Sequence, residues 1–146
     1  MIGKYKVAHL LGIARGHEKS FRFVEQVLTA KGYICFAPAF YNLDLYNECP
    51  DLLDDMCYEK LKVCDIAVVV TPDHIGKSTS TRIKQCKELN KPCYVLFRDD
   101  LIPLDIFLSD YLDNPESEIC RKDIYAYYIE GVSDIEKTIC DGLWKK

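Results

Sequence analysis

The apolar positions of the chain fall into short runs separated by longer stretches of helical spacing. Val7-Ala8-His9-Leu10-Leu11 is a nearly unbroken apolar run. That pattern suits a strand buried on both faces, as in a parallel sheet. Phe21, Val24, Val27 and Leu28 then recur on one stripe of a helix, which stops at Lys31-Gly32, a basic last turn followed by glycine. Tyr33 to Pro38 reads as a second strand. Pro50-Asp51 opens a second helix, with Leu53, Met56, Leu61 and Cys64 on its stripe. Ile66 to Val70 is the strongest strand signal. A helix from Ser78 to Leu89, carrying Ile83, Cys86 and Leu89, leads through Asn90-Lys91-Pro92 to a fourth strand, Cys93 to Phe97. Farther on, Arg98 to Asp105 reads as a loop and Ile106 to Leu112 as a short helix. Asp113 to Lys122 reads as an exposed polar stretch and Ile124 to Ile129 as an edge strand. Ser133 caps a last helix with Ile135, Ile139 and Leu143 in register.

Strands alternating with helices imply βαβ crossovers and one α/β domain over residues 1–146, a three-layer sandwich with a mainly parallel sheet of about five strands. A flavodoxin-like strand order is expected, and ligands of such sheets bind beyond the carboxyl ends of the strands. Three loops lie there: Gly12 to Gly16, the aromatic stretch Ala39 to Asp51, and Thr71 to Lys77.

Composition narrows the class. With 146 residues, 49% hydrophobic and 29% charged, the chain can bury a core without staples. A formal net charge of -4 argues against steering toward nucleic acid. No segment is long and apolar enough for a membrane span, and no secretory leader is evident, so a cytoplasmic protein is expected. The eight cysteines form no C-x-x-C pair and no histidine clusters with them, which speaks against zinc and for free, buried thiols. No cofactor is implied.

Cys64 to Val70, then Ile75-Gly76-Lys77-Ser78-Thr79, then Lys91-Pro92-Cys93-Tyr94 resemble the nucleoside 2-deoxyribosyltransferase-like superfamily, especially a phage and bacterial subgroup. The likeness extends to the Gly12 turn, the helix ending at Gly32 and the Leu52 to Met56 helix. It covers roughly the first two-thirds of the chain. The resemblance implies a nucleoside or nucleotide as small-molecule ligand, and a homo-oligomer as a possible assembly. In the related enzymes a glutamate in the first turn of the third helix attacks the anomeric carbon. Its equivalent here, counted back from Lys91-Pro92, is Arg82, which stays protonated and cannot be a nucleophile. The expected function is therefore binding. The alternatives are an N-glycosidase or transferase that uses other carboxylates, with Asp73 as catalytic candidate, and a non-catalytic interaction domain.

The expected ligand-binding residues are Gly12, Arg15, Tyr41, Asp73, His74, Gly76, Ser78, Thr79 and Arg82. Ser78 or Thr79 is expected to cap the third helix, and Gly76 to let the loop approach a ligand. Arg82, one turn in from Ser78, either holds an anion at the helix start together with Arg15, extends into solvent, or pairs with Asp73. His74 is a possible base or an exposed loop residue. Tyr41, with Phe40 and Tyr46, is placed to stack on a base. His9 is expected to be a satisfied core histidine, with a pocket-lining role as the alternative, and Asp65 to serve a turn below the sheet. Asp54 and Asp55 qualify as site carboxylates only if their helix start faces the crevice.

Overall fold

The computed structural model describes residues 1–41, 49–72, 75–97 and 99–112. Within them, β1 (Lys6–Leu11), α1 (Glu18–Ala30), β2 (Tyr33–Phe36), α2 (Pro50–Val63), β3 (Ile66–Val69), α3 (Lys77–Glu88), β4 (Cys93–Phe97) and β5 (Asp100–Pro103) follow in order. A short α4 (Leu104–Ile106) runs on into a π-helical segment, Phe107–Leu112. The sheet order is β2-β1-β3-β4-β5. The first four strands are parallel, and β5 returns antiparallel along β4, pairing Leu96 with Leu101 and Phe97 with Asp100. This is the expected three-layer α/β sandwich, with the order in which successive strands are laid down reversing between the parallel strands β1 and β3.

The fifth strand is a correction. Arg98 to Asp105 was expected to be a loop, yet Asp100–Pro103 completes the sheet. An edge strand needs to bury only part of itself, and Leu101 and Ile102 are half-buried between exposed Asp100 and Pro103. The strand expected at Ile124 to Ile129 and the helix expected after Ser133 lie outside the described residues.

Burial explains the elements. Val7, Ala8, Leu10 and Leu11 of β1 and all of β3 are buried, as the unbroken apolar runs require. Helix α1 buries Phe21, Phe23, Val24, Val27 and Leu28, and it stops where Gly32 adopts φ 93° and donates to the Thr29 carbonyl. Helix α2 starts with Pro50 at its first position and buries Leu61. Met56 was expected on the buried stripe and is instead exposed. Asp65 accepts from the Val7 amide at 2.7 Å, and its own amide donates to the Val7 carbonyl, tying β1 to the start of β3. The side chains of register partners in a parallel sheet share a face. His9, Phe36, Ala67 and Cys93 therefore lie on one face, the one that α2 and α3 cover. Cys35 lies on the opposite face, against Glu25 and Thr29 of α1. Among the described residues, no helix is long and apolar enough to cross a membrane.

Candidate functional site

The loops after β1 and β3 meet where the strand order reverses. The Ile13 amide donates to Thr71 Oγ1 at 3.1 Å. Gly12 has φ 145°, and a Cβ there would lie 2.7 Å from Thr71 Oγ1 and 3.3 Å from the Phe21 ring. Only glycine fits such a backbone and such a contact. Gly76 also reaches this junction, with Ile13 as its neighbour. Its backbone (φ -82°) suits any residue, however, and an added Cβ would meet Ile13 at an ordinary 3.7 Å. Local conformation therefore does not require this glycine. Phe21 carries the junction across to the third loop: its ring lies 5.9 Å from that of Tyr41.

Several expected site residues are placed differently. Helix α3 begins at Lys77 with Gly76 as its N-cap, and no side chain caps it. Ser78 is thus an exposed second helical residue, and Thr79 faces inward, 4% exposed. The β-hydroxyl residues Ser78 and Thr79 sit two and three positions past the N-cap, too far along the helix for the capping role. Arg15 is exposed. Asp73 and His74 lie outside the described residues.

Arg82 does not extend into solvent. It is 5% exposed, donates to Gln85 Oε1 at 3.0 Å, and forms an ion pair and hydrogen bond with Asp54 of α2. The start of α2 therefore faces α3 through Asp54, while Asp55 is exposed. The pair ties the two helices together over the face that carries His9.

His9 is buried but not satisfied. Its Nδ1 has no hydrogen-bond partner, and the ring packs edge-on against Phe36 at 6.2 Å. Burial, and after it the nearby charges of Lys60 and Arg82, lower its pKa from 6.5 to about 4. It is therefore a neutral imidazole at neutral pH.

A cavity lies over the carboxyl end of β2, outside the junction of the β1 and β3 loops. It measures about 450 Å³, and Glu18, Arg22 and Glu25 of α1 form one wall. Pro38, Phe40 and Tyr41 of the chain after β2 also line it. Glu18, Arg22 and Glu25 share one helix face because they are four and three residues apart. Arg22 donates through both Nε (3.1 Å) and Nη2 (2.9 Å) to Glu18 Oε1. Burial raises the pKa of the Tyr41 phenol, and Glu25 raises it further. Tyr41 and Phe40, both expected to stack on a base, line this cavity. The three charged residues of α1 were missed, because a charged stripe on an amphipathic helix reads as a solvated face. No group of His, Cys, Asp and Glu able to hold a metal ion occurs among the described residues.

Comparison with family models, curated proteins and solved structures finds no match to the chain.

Proposed function

We propose that the chain binds a nucleoside in the cavity between α1 and the loop after β2. The observation that carries this reading is the cavity itself: about 450 Å³, lined by two aromatic side chains and three charged ones. That volume falls within the range of small-molecule sites, which combine an apolar wall with a few polar groups. A nucleobase can stack on Tyr41 or Phe40, an interaction worth roughly 1–3 kcal/mol per base. Carboxylates at Glu18 and Glu25 can accept hydrogen bonds from sugar hydroxyls or from exocyclic amines of the base.

The balance of charge selects among ligands of this size. Two carboxylates face the cavity, and Arg22 is already engaged by Glu18. A phosphate would meet a net negative wall, so a nucleoside is favoured over its monophosphate. The resemblance to deoxyribosyltransferase-like proteins supports the same ligand class.

Binding is favoured over glycosidic-bond cleavage on one ground. By the resemblance, Arg82 stands where the related enzymes carry their nucleophile, and it is held in a helix-to-helix ion pair. Calorimetric titration of the four common deoxynucleosides is expected to give saturable heat with at least one, and Tyr41→Ala is expected to weaken that binding about tenfold. Equal affinity in the variant, or no heat with any nucleoside, would overturn the proposal.

A further inference from the structure

Helix α2 presents an apolar stripe on the side away from the core. Leu52, Met56 and Val63 are 57%, 47% and 59% exposed. Their spacing along the helix puts all three on one face, and Glu59 lies between Met56 and Val63 on that same face. Leu61, about two and a half turns on from Leu52, points the opposite way and is buried in the core. A lone exposed apolar side chain is ordinary, but three in a row along one helix form a contact surface.

The charges beside the stripe decide what fits it. Along one flank the first half of α2 carries Asp51 and Asp55, and the last turn carries Lys62, all exposed. The flank therefore runs from acidic to basic in the direction of the chain. Within the stripe the Glu59 carboxylate lies 2.8 Å from the Lys62 ammonium, which offsets its charge. The same ammonium stands 5.4 Å from the centre of the Tyr58 ring.

We propose that this face docks a second copy of the chain, with the two α2 helices antiparallel about a two-fold axis that passes between Met56 and Glu59. In that register Leu52 of each copy meets Val63 of the other, and Met56 lies against the stem of Glu59. In an antiparallel two-fold pair a flank faces its own copy, so Asp55 of each chain comes beside Lys62 of the other. Every contact then occurs twice, as an isologous interface requires. A parallel pair would instead set Glu59 against Glu59 inside the apolar stripe, a like-charge contact that opposes association. The antiparallel pair also places the positive end of each helix dipole beside the negative end of the other. With 14 residues, α2 offers a face about 21 Å long. A contact of that length is at the small end of specific interfaces, so the association is reversible and depends on concentration.

Sedimentation equilibrium of the full chain, from micromolar to millimolar concentration, tests this directly. The mass is expected to rise from the 16.8 kDa of one chain toward twice that value. Met56→Glu, at an exposed position, should leave the thermal melt unchanged and weaken association about tenfold or more. Asp55→Lys should weaken it too, by bringing two ammonium groups together. Asp55→Lys combined with Lys62→Asp should restore it, since the exchange keeps the cross-pair and leaves Glu59 a cation one turn away. A single-chain mass throughout would overturn the proposal and assign the stripe to another occupant, such as residues 113–146 of the same chain. A dimer that Met56→Glu leaves intact would overturn it as well, and so would one that the double exchange fails to restore.

Discussion

His9 is the residue at which burial and chemistry conflict most. An imidazole that is 5% exposed, with an unpartnered Nδ1 and two cations nearby, resists protonation. The sign of the consequence follows from linkage. The unfolded chain takes up a proton near 6.5 and the folded chain only near 4. The stability His9 confers is therefore complete above pH 6.5 and is lost as the pH falls toward 4, by up to ~3 kcal/mol. Urea unfolding measured between pH 7 and 4 is expected to show this decline, and His9→Leu is expected to flatten it. An unchanged slope in the variant would mean that other groups carry the acid sensitivity. Asp65 acts in a lower window. The Val7 amide holds its carboxyl below the usual range, so its contribution is lost only under more acidic conditions. Little of this was legible beforehand. A histidine between Ala8 and Leu10 reads as buried, but whether it finds a partner depends on which side chains α2 and α3 present above it.

At the scale of elements, the α2–α3 pair is held by a polar contact where an apolar one is usual. Thr79, Arg82 and Cys86 form the buried side of α3, so a guanidinium stands in the middle of a packing stripe. Apolar periodicity in Ile83, Cys86 and Leu89 located this helix but pointed to a face about one residue away, since Ile83 and Leu89 are only half-buried. Removing the two members of the ion pair is expected to have unequal effects. Asp54→Ala leaves a buried guanidinium without this carboxylate and should cost about 1–3 kcal/mol. That is below the ~3–5 kcal/mol of a fully buried pair, because Asp54 is 47% exposed and solvent screens it. Arg82→Met removes the buried charge and keeps much of the packing, so it should cost less. Thermal denaturation of both variants measures the order, and a larger loss in Arg82→Met would show that the guanidinium's other contacts dominate. The strand β5 was missed for a different reason. Its four residues, Asp-Leu-Ile-Pro, carry no period-two alternation and end in proline, which suits an edge but reads as a loop.

At the scale of the whole molecule, the alternation of buried strands and amphipathic helices made the α/β sandwich and its β2-β1-β3 order legible. The meeting of the chain after β1 with the chain after β3 was legible with it, and Tyr41 was singled out by its aromatic neighbours. The other wall of its cavity was not legible. Glu18, Arg22 and Glu25 become a cavity wall because the chain after β2 folds back over α1, and nothing in the local pattern of α1 signals that. The arrangement makes a claim about charge. A ligand that stacks on Tyr41 must tolerate Glu18 and Glu25, and a phosphate does not. Titrating the full chain in parallel with a deoxynucleoside and its 5′-monophosphate, at low and at moderate salt, tests that claim most directly. Tighter binding of the nucleoside, with the gap narrowing as salt screens the carboxylates, is the predicted result. Tighter binding of the monophosphate would contradict the account.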